Sequence, residues 1–197
     1  MKKRALLITM KNPVLGKVKT RLAAAIGHEK ALEIYRSLLR HTREVALKAN
    51  ADRYLFYSDF VDEKDEWPKG VFFKKTQSQG DIGQRMARCF EEVLPNYGRA
   101  ILIGCDIPGL NAGILEHAFE KLLSHDFVLG PAADGGYYLI GMKKFYPAVF
   151  EGIEWSTSSV FEKTIDRING LGKTWGTVQT LRDLDEEADW KVFERSL

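Results

Sequence analysis

Apolar and polar positions along this chain fall into blocks that read in turn as strands and helices. Residues 5–10, Ala-Leu-Leu-Ile-Thr-Met, form a nearly continuous apolar run, the pattern of a strand buried on both faces. A polar loop over 11–19 follows, and residues 20–26 ahead of Gly27 predict a short helix that ends on a residue tolerant of a left-handed cap. Over 29–48, Leu32, Tyr35, Leu38, Leu39, Val45 and Ala46 recur at three- and four-residue spacing, which predicts a long helix with one stripe against a core. Residues 54–57 and 71–73 are β-rich and flank a charged, proline-containing loop. Gln77 to Asp81 lead into a helix reaching about Leu94, and 99–104 is the clearest buried strand of the chain. Asn111 is placed to cap a helix running to about Leu123, and strands are expected at 127–129 and 137–140. The remainder predicts a helix capped within 156–158 and running to Ile168, a strand over 177–181 and a last helix over 186–195. Strands alternating with helices make an α/β fold, with a mostly parallel sheet between two helical layers.

Composition narrows the classes. A chain of 197 residues is expected to form a single domain over 1–197, and 45% hydrophobic with 28% charged residues excludes disorder and low complexity. Twenty-nine Lys and Arg against 27 Asp and Glu leave a net charge of +2, too balanced for a surface built to coat nucleic acid. No stretch approaches the ~18 apolar residues of a membrane span. The basic start Met1-Lys2-Lys3-Arg4 resembles a signal-peptide n-region, but the apolar run behind it is shorter than the ~7–15 residues required. Cys89 and Cys105 form no CxxC pair, so a cytoplasmic protein is expected. His28, His41, His117 and His125 make no HxH or HExxH pattern, which leaves zinc chemistry unsupported, and no GxSxG elbow is present.

In open α/β sheets ligands bind beyond the carboxyl ends of the strands, so the residues following each strand are the candidates. After the first strand come Lys11, Gly16, Lys17, Lys19 and Arg21 at a helix start, a combination able to meet one polyphosphate or to serve as a solvated basic loop. It is no Walker A loop, since Lys11 stands where that motif needs Gly and Val18 where it needs Ser or Thr. Asp106 follows the most buried strand and is suited to holding Mg2+ against phosphates, or to capping its turn. Asp134-Gly135-Gly136 permits close ligand approach and equally suits a hairpin turn. Asp183-Leu184-Asp185 precedes the last helix, where helix capping is the competing role. Tyr137, Tyr138 and Trp155 are aromatic candidates for stacking or for the core.

Four ordered segments resemble the DUF2064 glycosyltransferase-like family, which is similar to the nucleotidyltransferases of molybdenum-cofactor and phospholactate metabolism. They are Pro13-x-x-Gly16-Lys17-Val18-Lys19-Thr20-Arg21-Leu22, Gln79-Gly80-Asp81-Ile82-Gly83-Gln84-Arg85-Met86, Ile103-Gly104-Cys105-Asp106-Ile107-Pro108 and Gly130-Pro131-x-x-Asp134-Gly135-Gly136-Tyr137-Tyr138-Leu139-Ile140-Gly141. The resemblance runs from residue 4 to about 190. It implies a nucleotide-diphospho-sugar transferase (GT-A) sandwich with a mixed, mostly parallel seven-stranded sheet. By the same resemblance Gly16, Lys17 and Arg21 occupy the phosphate-cradling loop, Asp106 is the principal magnesium ligand and Asp185 the second, although Glu186-Glu187 replace the Thr-Pro of that ending. Lys17, Arg21 and Asp106 are thus the expected catalytic residues. Gly16, Lys19, Gln79, Gly80, Asp81, Arg85, Asp134, Gly135 and Gly136 are the expected nucleotide-binding set.

The expected function is nucleotidyl transfer from an NTP to a small phosphorylated acceptor with loss of pyrophosphate, using Mg2+ or Mn2+. Such chemistry needs positioning and charge neutralisation rather than a covalent nucleophile. A glycosyltransferase using a nucleotide sugar is the alternative, weakened by Gly104, which leaves Asp106 without the D-x-D partner. A nucleotide-sensing module without turnover is the third. An oligomer is compatible with each reading, and the base, acceptor and pathway stay open.

Overall fold

A computed structural model describes residues 3–194. In chain order its elements are β1 (Arg4–Met10), α1 (Thr20–Ile26), α2 (His28–Lys48), β2 (Asp52–Tyr57), β3 (Phe72–Thr76), α3 (Ile82–Val93), β4 (Arg99–Ile103), α4 (Ala112–Ser124), β5 (Phe127–Pro131), β6 (Tyr137–Met142), α5 (Val160–Gly170), β7 (Trp175–Thr177) and α6 (Glu187–Glu194). One seven-stranded sheet runs in the order β3-β2-β1-β4-β6-β5-β7. Only β6 is antiparallel to its neighbours β4 and β5. From β1 the chain builds outward through β2 to β3, then returns to the other side of β1 as β4. The reversal lies between β1 and β4, and the carboxyl ends of those two strands open the crevice where this architecture takes ligands.

Strand residues alternate between two cores. Leu6, Ile8, Leu55, Ile101 and Ile103 meet Tyr35 and Leu39 of α2 and Leu115 and Phe119 of α4. On the other face Leu7, Phe56, Leu102 and Ile140 meet Met86 and Phe90 of α3 and Ile168 of α5. Burial on both faces is why these strands read as continuous apolar runs rather than alternating ones. A small third cluster of Leu22, Ile34, Leu38 and Leu184 fastens the segment before α6 onto α1 and α2.

The Asp134-Gly135 hairpin joins β5 to β6. Ala132 N–H donates to Gly136 O at 3.0 Å, and Gly135 adopts φ 90, a conformation few residues but glycine accept. Two expectations need correction. The seventh strand forms at Trp175–Thr177 rather than 177–181, because its regular pairing with β5 ends at Leu129–Thr177 and the isolated bridge Ala132–Leu181 lies beyond it. The helix expected from a cap at 156–158 begins at Val160 instead, since Ser156 takes a left-handed φ of 65 and Ser159, at the N-cap, makes no side-chain cap. The last helix reaches Glu194, and Arg195 lies outside the described residues. No described helix is long and apolar enough to cross a membrane.

Candidate functional site

A cleft of about 360 Å³ opens at the carboxyl ends of β1 and β4. Thr9, Met10 and Lys11 reach it from β1, Gly104 to Ile107 from β4, and Asp134 and Gly136 from the β5–β6 hairpin. Lys19, Asp183 and Asp185 complete its charged side.

Its centre is Lys19. Asn12, buried behind β1, anchors the loop that leads there: its side-chain oxygen accepts from Asp59 N–H at 3.0 Å and its amide donates to Phe60 O at 2.9 Å. Lys19 itself sits at the N-cap of α1 with φ 48 and ψ 44, a left-handed conformation that costs energy in a residue with a Cβ. Its side chain is only 4% exposed, and Nζ lies 2.6 Å from Asp106 Oδ1 and 2.6 Å from Asp185 Oδ1. Burial alone would lower the pKa of this ammonium, but the two carboxylates outweigh it and hold Lys19 above its ordinary value. The aspartates come from separate elements, and Leu184 N–H donating to Asp106 O at 3.0 Å ties their segments together. Leu184 is buried in the third cluster, which fixes the path of its neighbours Asp183 and Asp185. Helix capping is assigned elsewhere: Asp189 accepts from the N–H groups of Asp185 and Glu186 at 3.2 and 3.0 Å.

Asp183 is pushed up to about 6, first by burial and then by the charges of Asp134 and Asp185. Asp134 accepts from Gly136 N–H at 2.9 Å while lining the cleft, so the hairpin and the site share one residue. Gly135 does not line the cleft; a Cβ there would stand 2.1 Å from Ser158 O, so glycine lets the 158 segment pack on the hairpin.

Of the residues expected from sequence, Lys19, Arg85, Asp106, Asp134, Gly136 and Asp185 are brought into the cleft wall. Gly16 and Lys17 lie exposed in the preceding turn, and Arg21 is exposed on α1 with its guanidinium 3.9 Å from Glu186. Gln79 and Gly80 are exposed beside the cleft between two lining residues, Gln77 and Ile82. Asp81 forms a capping box with Gln84 that starts α3 and thereby orients Arg85.

Two lining residues, Tyr35 and Gln77, had no signal pointing to them. Tyr35 belongs to the apolar stripe of α2, yet its hydroxyl donates to Lys11 O at 3.0 Å and accepts from Lys11 N–H at 2.9 Å. Gln77 donates both amide hydrogens to Met10 O and Phe56 O, each at 3.0 Å, and so closes the ends of β1 and β2. Lys11, read from the sequence as part of the basic loop after the first strand, also lines the cleft. Tyr137 and Tyr138 serve cleft wall and core together, whereas Trp155 packs on Tyr137 at 6.5 Å and against Gly83, outside the lining.

The donor set suits a hard divalent cation. Two carboxylate oxygens converge on one cation, Lys19 Nζ, from side chains 45% and 43% exposed to the cleft. Mg2+ characteristically takes one or two carboxylates and completes its shell with water and phosphate oxygens. Among the described residues no group of three His, Cys, Asp or Glu side chains is arranged to hold a metal by itself.

The sequence profile of a family described as "Uncharacterized protein conserved in bacteria (DUF2064)" matches residues 41–157. No curated protein matches the chain. A candidate nucleotide-diphospho-sugar transferase from Desulfovibrio desulfuricans G20 is 31% identical with a TM-score of 0.91, over 100% of this chain and 88% of that one. The inositol-1-phosphate CTP transferase of T. maritima shares the fold at 13% identity and a TM-score of 0.61, over 98% and 94% of the two chains. So does Rv0371C of Mycobacterium tuberculosis H37Rv in complex with manganese, at 12% identity and 0.58, over 100% of both chains.

Proposed function

This chain belongs to the DUF2064 family and carries the nucleotide-diphospho-sugar transferase fold, and from its cleft we propose that it is a divalent-cation-dependent nucleotidyltransferase. A phosphorylated acceptor attacks the α-phosphorus of an NTP; the new P–O bond forms as the α–β bridging P–O bond breaks, and its electron pair leaves with pyrophosphate. The observation that carries this reading is the convergence of Asp106 and Asp185 on Lys19, each at 2.6 Å, at the switch point of the sheet. The fold is shared with a CTP transferase and with a manganese-binding protein, which supports a nucleotide and a metal here.

Asp106 and Asp185 are the residues that would hold Mg2+ or Mn2+, which when bound neutralises the phosphate oxygens as charge moves to the leaving group. Lys19 and Lys11 supply fixed positive charge to the polyphosphate inside the cleft. Lys17 and Arg21 extend that field along the rim toward the pyrophosphate, and Gly16 and Gly136 leave the backbone open to the ligand. Gln79, Gly80 and Asp81 border the nucleotide. No protein nucleophile is required, and the one cysteine in the cleft wall, Cys105, has a thiol pushed well up by burial and then by the charge of Asp106.

Incubation with a panel of NTPs and candidate acceptors, with Mg2+ or with EDTA, followed by assay of pyrophosphate, tests the reading. Metal-dependent pyrophosphate release that Asp106→Asn abolishes is the expected result. Release of a nucleoside diphosphate from a nucleotide sugar would instead make it a glycosyltransferase, and nucleotide affinity equal in EDTA and Mg2+ would overturn the metal site.

A further inference from the structure

The lysine and aspartates occupy one side of the cleft. Its other side, toward α3 and the start of β6, is lined by Ile82, Met86, Leu102, Tyr137 and Ile140, with Arg85 as the charged group among them. Arg85 Nε makes one long hydrogen bond, 3.4 Å to Asp81 O, and the guanidinium forms no ion pair among the described residues. A cation with most of its five donors unspent beside an apolar wall is a receptor for one anionic group.

The neutral polar groups of the cleft make the complementary point. Thr9 Oγ1 donates to Ile103 O at 3.3 Å, Tyr35 to Lys11 O at 3.0 Å and Tyr138 to Gln179 O at 2.8 Å. Both amide hydrogens of Gln77 are taken by Met10 O and Phe56 O. The Tyr137 hydroxyl is buried without a hydrogen-bond partner, near Thr164, whose own hydroxyl donates to Val160 O at 2.8 Å. The donors of Thr9, Tyr35, Tyr138 and Gln77 are thus spent within the protein, and the Tyr137 hydroxyl is shut away from the cleft by burial. A polyol entering here would lose water from each hydroxyl and find few groups to replace it, whereas a hydrocarbon body would lose nothing.

Resting on the reading of the cleft as a nucleotidyl-transfer site, we propose that the acceptor is a small phosphate monoester with an apolar or aromatic body. Its phosphate pairs with Arg85, its body lies on Ile82, Met86 and the ring of Tyr137, and sugar-like phosphates are poor acceptors. Arg85 thereby serves the acceptor rather than the nucleotide to which the sequence motif alone assigned it.

Isothermal titration of the full chain with phenyl phosphate and with glycerol 1-phosphate, magnesium pyrophosphate being present to fill the lysine side, tests this. Phenyl phosphate is expected to bind at least tenfold more tightly. Arg85→Gln should cost phenyl phosphate at least tenfold while pyrophosphate affinity changes less than threefold, Arg85→Lys should recover part of the loss, and Ile82→Ser should weaken phenyl phosphate alone. Equal binding of the two monoesters, or an Arg85→Gln protein that keeps phenyl phosphate or loses pyrophosphate in proportion, would overturn the proposal. Failure of the unsubstituted protein to bind magnesium pyrophosphate would count against the nucleotidyl-transfer reading itself, and melting curves of each variant separate misfolding from lost contacts.

Discussion

Two lysines of this chain are buried against aspartates, and they differ in what the carboxylates touch besides the lysine. Lys74 on β3 lies 2.5 Å from Asp65 Oδ1, with side chains 8% and 14% exposed. That carboxylate also accepts from Trp67 N–H at 2.9 Å and from the Tyr57 hydroxyl, while Lys74 donates to Asp62 O at 3.3 Å. The cluster is closed, and it staples the 59–70 loop to the edge of the sheet. Lys19 is equally buried at 4%, but its partners Asp106 and Asp185 are nearly half exposed and face a cleft. A buried ion pair is therefore weak evidence of function; carboxylates with coordination capacity left over, at the switch point of the sheet, are the stronger sign.

The largest effect expected from this contrast is on turnover. Asp106→Asn removes a full charge from the position that would hold metal while keeping the shape, so a loss of about 4 kcal/mol, or roughly a thousandfold in rate, is expected. Melting temperature should barely move, because the residue is open to water and asparagine still accepts from Lys19. Asp65→Asn should do the reverse. It leaves Lys74 buried without its counter-charge and should cost about 3 kcal/mol of stability, with kcat of the folded fraction unchanged. Denaturant melts and pyrophosphate assays on both variants check the pair, and interchanged outcomes would break the comparison.

The lysines themselves give the next contrast. Lys74→Met strands a buried carboxylate that Trp67 and Tyr57 still partly satisfy, and about 2 kcal/mol of destabilisation is expected. Lys19→Met leaves two carboxylates that water can reach, so stability should stay within about 1 kcal/mol. Magnesium–nucleotide affinity should nonetheless fall by about tenfold, one charge-assisted contact being worth roughly that much. Equilibrium unfolding and nucleotide titration on the two variants are the measurements; an Lys19→Met protein that binds nucleotide normally would reduce Lys19 to a structural cation.

Much of this was legible in the chain. Buried strands announced themselves as apolar runs, the α2 stripe by its spacing, and Asp106 by following the most apolar strand. What sequence could not rank was Lys19 against Lys17. The two stand two residues apart in one basic loop, and it is the backbone at Lys19, with φ 48, that separates a buried side chain from an exposed one. Asp185 was ambiguous for a similar reason, because any of the carboxylates around residue 186 could cap α6. Asp189 takes that task and leaves Asp185 to the cleft. Tyr35 and Gln77 were illegible because their polar atoms satisfy strand-end backbone groups, a role that leaves no motif. The seventh strand was misplaced because the point where its ladder stops, Leu129–Thr177, depends on pairing with β5 and not on residues 177–181 alone.

The smallest expected effect belongs to Lys17, and its salt dependence carries the information. Lys17 is exposed on the turn before Lys19, so its charge reaches a bound polyphosphate through water and mobile ions. Lys17→Ala should weaken magnesium–nucleotide binding by only about threefold at low salt, in the range of exposed charge pairs. Raising ionic strength toward 1 M shortens the screening length to about 3 Å, and the difference from the unsubstituted protein should then vanish. The tenfold loss expected for Lys19→Met should persist under the same conditions, since a buried contact is screened far less. Nucleotide titrations of both variants at 0.02 and about 0.5 M salt, spanning screening lengths from more than 20 Å to under 5 Å, make the comparison direct. A Lys17→Ala deficit that survived high salt would mean that the loop folds down and brings Lys17 into contact with the phosphates, making it a second Lys19 rather than a distant charge.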